Sequence, residues 1–249
     1  MSELLSHAEF RTALEDAMKG TMAKDASFSR AWATGKLQRH HFVAWATNHY
    51  HYIGPFGDYL GFMYGQTPDT ARDAKDFLLQ NMWEEELSDV RHTDLLIRFA
   101  EACGGTREHV MDRKNAMPFT KALQGWLYYV ASNEHFAVSS AALIVGLESQ
   151  VPGIYRVQYP KLIDPDVYGF TEDDTEFFDL HITSDEVHGE RGYQIVLNYA
   201  DTPELQQRCL DMVKEAADMR FTYTKTLYEY YVKPDLGEWA EEPVPAGVA

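Results

Sequence analysis

Apolar residues recur at three- and four-residue spacing through most of the chain, and long alternations rich in Val, Ile and Thr are scarce. That period lays one apolar stripe along each segment and predicts an all-α protein. Helices are expected at roughly 7–19, 26–34, 38–64, 70–103, 118–149, 172–199 and 202–231, about seven in a single bundle. Several ends carry the matching chemistry. Pro68 and Asp69 open one helix, Gly104-Gly105 stops it, and Thr202-Pro203-Glu204 reads as a cap followed by Pro at the first helical position. Pro55 should kink or break the third helix, because it removes a donor and clashes with the preceding turn. The segment from Val151 to Thr171, with Pro152, Pro160 and Pro165, is expected to be the longest irregular connection, of the kind that forms lids or binding loops.

No Pro/Gly/Ser linker divides the chain and no segment repeats at a fixed period, so one domain is expected over 1–232. From Lys233 the pattern stops and Pro, Gly and Glu accumulate, which predicts an extended or disordered tail over 233–249. The 22 basic residues against 39 acidic ones give a net charge of -17, a surface that repels phosphate backbones and anionic lipids. Nucleic-acid and membrane partners are therefore not expected. No run approaches the roughly 18 consecutive apolar residues of a membrane span, and the N-terminus lacks a signal-peptide pattern, so a cytoplasmic location is expected. Cys103 and Cys209 do not cluster, and read as buried small hydrophobes in a reducing compartment.

The candidate chemistry lies in three stretches. In NMWEEELSDVRHTDLL, Glu85 and His92 stand seven residues apart, close to two helical turns, which would put both on one helix face. In FFDLHITSDEVHGERG, His181, Asp185 and His188 fall within an arc of about 60° on one helix. Glu148 ends the apolar segment AVSSAALIVGLE, and a carboxylate buried there calls for a cation. Imidazoles and carboxylates together suit iron, manganese or zinc. Glu84 and Glu86, flanking Glu85, read as a solvated face. His181 and His188 are about 10 Å apart along a helix, too far to share one ion, so they are expected to serve different metals, with Asp185 bridging them or choosing one.

Three features together resemble the metal-binding pattern of haem-oxygenase-like diiron oxidases: Glu-x6-His, a Glu in GLESQVP, and His-x3-Asp-x2-His. This superfamily resembles the pyrroloquinoline-quinone synthase C and TenA proteins in fold, and GKLQRHHFVAWATNHYHY is similar to its early helix. The resemblance implies a haem-oxygenase-like helical bundle in which Glu85, His92, Glu148, His181, Asp185 and His188 bind two ferrous ions beside a substrate pocket. It implies O2 as co-substrate and oxidation of a small organic metabolite such as an amino acid, amine or carboxylate. N-oxygenation, C–C cleavage, decarboxylation and amine formation all lie within that family, and one branch, similar to p-aminobenzoate synthases, consumes its own Tyr. An external electron donor and a homodimer complete the expected partners.

Departures separate the chain from neighbouring types. It has none of the Glu-x-x-His pairs of ferritin-like diiron proteins. Where TenA-type thiaminases carry an Asp in the early helix, it reads Asn48-His49, and His7 is a weak counterpart of an axial haem ligand. The alternatives are a metal-independent TenA-like or quinone-synthase-like enzyme and a non-enzymatic helical binding protein. His49 with Tyr50 and Tyr52 could line a pocket, whereas Trp126, Tyr128, Tyr129, Tyr155 and Tyr159 read as core.

Overall fold

The computed structural model describes residues 3–87 and 90–236 of the chain, and among these every regular element is helical. The chain enters through α1 (His7–Ala17), whose N-terminus is a capping box between Ser6 and Glu9, and α2 (Ser27–Ala33). Next come α3 (Arg39–Ile53) and α4 (Phe56–Gln66), separated at Gly54-Pro55 as the lost donor of Pro55 requires. They are followed by α5 (Arg72–Leu87), α6 (His92–Ala102), the short α7 (Arg107–Met111) and α8 (Pro118–Asn133).

A run from Phe136 to Ile163 then forms the centre of the bundle. It comprises α9 (Phe136–Ser140), a widened π turn (Ala141–Leu147), a tight 3-10 turn (Glu148–Gln150) and α10 (Val151–Ile163). This run is long and apolar enough to cross a membrane, but 89% of its most apolar window is buried inside the protein. Two long helices, α11 (Glu172–Tyr199) and α12 (Pro203–Leu227), clamp it, and α13 (Lys233–Leu236) follows a second π turn at Tyr228–Val232.

The clamp is close. A Cβ on Gly192 of α11 would lie 2.4 Å from Ile144, and one on Gly146 would lie 2.7 Å from the Cβ of Ala216 on α12. Both glycines are there because no side chain fits between the backbones. An aromatic cluster fills the space beneath: Trp32 meets Phe42 at 4.8 Å and Trp45 at 5.1 Å between ring centroids, both edge to face.

Four expectations need correction. The segment 70–103 is two helices: α5 begins at Arg72, after a turn at Pro68-Asp69, and Arg91 is extended at ψ 135 as the N-cap of α6. The segment 118–149 is also broken, at Glu134, and His135 caps the next helix with its own side chain. The stretch after Val151 is helix, with Pro152 in its first turn, where no donor is needed, and Pro160 inside it. Lys233–Leu236 is a helical turn; the rest of the expected tail, 237–249, lies outside the described residues.

Candidate metal centre

All six ligand candidates converge. Glu85 comes from the last turn of α5, His92 opens α6, Glu148 follows the π turn, and His181, Asp185 and His188 share one face of α11. Their donor atoms form two groups, Glu85–His92–His181 and Glu85–Glu148–Asp185–His188, and within each group the atoms lie within 4.8 Å of one another. Glu85 belongs to both. The residue shared by the two groups is thus Glu85 rather than Asp185, which joins the His188 side.

The break between α5 and α6 is what unites Glu85 with His92. Seven residues along one straight helix would separate them by about 10 Å. With α6 folded back, Glu85 Oε2 lies 2.9 Å from His92 Nδ1. That nitrogen is buried and makes no hydrogen bond despite the short distance, and Glu148 Oε2 is likewise buried without a partner. Each donor group thus contains a buried ligand atom without a hydrogen-bond partner, which a cation bound there would satisfy.

Proton positions fit the same reading. His181 Nδ1 donates to the Phe177 carbonyl at 2.5 Å, which leaves Nε2 with its lone pair toward the cluster. Burial, followed by the neighbouring His92, lowers the His181 pKa to about 3, so the ring is neutral. His188 is different. Burial opposes its charge, but the carboxylates of Glu148, Asp185 and Glu85 outweigh burial and raise its pKa to about 10. Its Nδ1 lies 2.7 Å from Glu148 Oε1 and its Nε2 lies 2.7 Å from Glu84 Oε2. Burial, then the charge of Glu148, holds Asp185 well above the usual carboxylate range, and burial raises Glu148 as well. Glu85 shifts the other way: burial alone would raise it, but His92, close by at 2.9 Å, and then His181 and His188 prevail and lower it.

Glu84 is therefore not a solvated bystander. It sits against His188 and accepts both ends of the Arg191 guanidinium, at 2.7 and 3.1 Å, while Arg191 also donates to Asn81 Oδ1 at 2.7 Å. Only the packing of α11 against α5 reveals this, because in the sequence Glu84, Glu85 and Glu86 are one acidic run.

Beside the ligands lies a partly open cleft, walled by His49, Tyr52, Tyr155 and Phe177 and bordered by Glu85, Glu148, Asp185, His181 and Arg220. Tyr155 is buried in the core, as the sequence predicts, and also lines this cavity, whereas Tyr129, read as core, is 58% exposed. Arg220 carried no sequence signal, being one basic residue in the amphipathic α12. The cysteines are both buried, and burial raises each thiol pKa to about 12, so neither supplies a thiolate.

A third group, His40–His41–Asp235, has donor atoms equally close. There His41 Nδ1 accepts the Gln38 N–H at 2.9 Å, so the ring proton sits on Nε2, which faces Asp235 at 3.2 Å. This group ties α13 to α3 by hydrogen bonds and has no imidazole lone pair to give from His41.

The fold matches a domain with a heme oxygenase-like fold from Shewanella denitrificans at a TM-score of 0.76, with 15% identity over 96% of this chain and 100% of the other. A 4-aminobenzoate synthase of Nitrosomonas europaea is 30% identical over 82% of this chain and 85% of its own length. The bifunctional coenzyme PQQ synthesis protein C/D of Methylorubrum extorquens is 25% identical over 94% of this chain and 62% of its length. Residues 43–221, which contain every member of both donor groups, match the family described as iron-containing redox enzymes, and the chain belongs to that family.

Proposed function

We propose that this chain is a non-haem diiron oxidase that uses O2 to oxidise a small organic molecule held in the cavity beside Glu85, Glu148, Asp185 and His181. The observation that carries the reading is the pair of donor groups sharing Glu85, which offers one site to Glu85, His92 and His181 and a second to Glu85, Glu148, Asp185 and His188. Ferrous iron bound there would supply the electrons for O2 activation, and its vacant positions would admit O2 and substrate.

The chain's own groups do the rest. The Phe177 carbonyl fixes His181 in the tautomer with Nε2 inward, and Glu84 holds the Nε2–H of His188 so that Nδ1 faces the carboxylates. Ligation through His188 Nδ1 would require loss of the proton there, so the raised pKa of His188 would make metal uptake depend on pH. Tyr52, Tyr155 and Phe177 give the cavity an aromatic wall beside the candidate ligands. An external reductant is expected to return the site to its ferrous form. Among the reactions in view, the Nitrosomonas relative's name favours formation of an aromatic amine.

The test is anaerobic titration of metal-free protein with ferrous iron, followed by exposure to O2. Two ions per chain and O2 consumption in excess of a ferrous blank are expected. Failure to take up iron, or retention of zinc alone after iron loading, overturns the reading in favour of metal-independent chemistry.

A further inference from the structure

Arg220 is a buried cation without an anion. It is 5% exposed on α12, and its one hydrogen bond runs from Nη1 to the Leu147 carbonyl, at the junction of the π turn and the tight turn. A guanidinium carries several further N–H donors, and Arg220 forms no ion pair among the described residues. It borders both the cavity beside the candidate metal ligands and a smaller one, which share His49, Tyr52 and Tyr155.

The smaller cavity has other unmet groups. Trp32 Nε1, the Tyr223 hydroxyl, His49 Nδ1 and Gln158 Oε1 are buried lining atoms with no hydrogen-bond partner. Trp32 and Tyr223 offer N–H and O–H donors beside the guanidinium. His49 is held neutral, chiefly by burial and then by Arg220, so it adds no second positive charge. Leaving a buried charge and buried donors unpaired is costly, and such groups in native proteins mark a missing partner. The nearby carboxylates do not supply it. If Glu85, Glu148 and Asp185 hold two divalent ions, their three negative charges are already exceeded by four positive ones.

We propose that this end of the cavity is an anion subsite, in which Arg220 binds the carboxylate of a small monocarboxylic substrate while Tyr52, Tyr155 and Phe177 pack on its apolar body. The subsite rests on the oxidase reading for its purpose, because Arg220 and the ligands Glu148 and Asp185 border the same cavity and so set both ends of a bound molecule. Arginine suits this task because its planar fork matches a carboxylate with two parallel hydrogen bonds.

Benzoate and benzamide, alike in shape and different in charge, are the probes. Titrated calorimetrically into metal-free full-length protein near neutral pH, benzoate should bind about 10- to 100-fold more tightly than benzamide. Arg220→Gln, which retains an N–H for the Leu147 carbonyl, should abolish that preference, and Arg220→Lys, which retains the charge, should keep part of it. Equal binding of the two probes to the wild type, no binding of either, or a preference that survives Arg220→Gln overturns the proposal and leaves Arg220 as a tie on the Leu147 carbonyl. The wild-type comparison stands even if a variant fails to fold. Ferrous titration of the same protein separates the two readings: iron uptake without anion preference removes the subsite alone, and anion preference without iron uptake removes the oxidase reading alone.

Discussion

Glu84 offers the sharpest test of how the centre is held together. Replacing it with Ala removes the acceptor of the His188 Nε2–H at 2.7 Å and the bidentate partner of Arg191, while leaving all six ligand candidates in place. The ring of His188 is then free to rotate, which carries Nδ1 away from the Glu148–Asp185 side, or to take the Nδ1–H tautomer, which removes the lone pair a metal needs. Removal of a carboxylate that orients a metal-bound histidine weakens metal affinity by about 10- to 100-fold, or about 1.4–2.7 kcal/mol. Glu84→Gln retains a carbonyl acceptor and should cost less. Glu86→Ala is the control from the same acidic run: Glu86 pairs with Arg91 at 3.3 Å near the surface, and loss of such a pair changes little.

The assay is anaerobic ferrous titration against a competing chelator, read as both affinity and stoichiometry. Glu84→Ala should bind as many ions as the wild type, one of them more weakly, whereas Glu148→Ala should lose an ion altogether. Wild-type affinity in Glu84→Ala refutes the orienting role. Loss of an ion in both Glu84→Ala and Glu84→Gln makes Glu84 itself a ligand.

Other outcomes follow from the same geometry. His181→Ala and His188→Ala should each leave one ion bound, while Glu85→Ala, which removes the shared carboxylate, should weaken both; retention of two ions at normal affinity in Glu85→Ala would contradict the shared position. The His188 pKa rises from an ordinary 6.5 to about 10 on folding, so its contribution to the stability of the metal-free protein is complete below about 6.5 and is lost as pH rises through about 10. Iron affinity should move the opposite way, rising with pH in that window as the Nδ1 proton becomes easier to displace, and calorimetry in buffers of different ionisation enthalpy should detect the released proton. Gly192→Ala forces a methyl to within 2.4 Å of Ile144 and should lower stability by about 1–3 kcal/mol in a denaturant titration, where no change would show that α11 can move away from the π turn.

The stripe on α11 was legible because a helix repeats every 3.6 residues and a single unbroken helix, Glu172–Tyr199, carries all three residues. Glu148 was legible because a carboxylate stood at the end of a buried apolar run. What escaped was set by contacts between helices. No Gly or Pro marks the end of α5, so Glu85 and His92 read as one face when they meet across a break. The opposite error occurred at Pro152 and Pro160, which read as breakers. Pro152 lies in a first turn, and the carbonyl freed by Pro160 belongs to the exposed Arg156, where water can satisfy it. Glu84 and Arg220 depend on which residues the facing helices bring up, and one sequence holds no periodic trace of that.

The charges of the interior bear on whether the fold needs its metal. Glu84, Glu85, Glu148 and Asp185 gather around α11, and an uncompensated set of that kind would force the helices apart. The chain supplies counterions of its own: Arg191 pairs with Glu84, and His188, with its pKa raised to about 10, lies between Glu84 and Glu148 as a cation. Burial raises the pKa values of Asp185 and Glu148, which favours their uncharged forms over a set of unpaired carboxylates. Meanwhile the aromatic cluster around Trp32 and the glycine contacts of α11 and α12 with the π turn lie outside the ligand set. The bundle is therefore expected to form without iron, unlike a small zinc domain that unfolds without its metal. The metal-free protein should keep its full helical signal in circular dichroism and melt in one cooperative step. Ferrous iron at 100 times its dissociation constant should then add about 2.7 kcal/mol per independent site and raise the melting temperature. Loss of helicity on chelation would show instead that the protonated site cannot hold α5, α6 and α11 together.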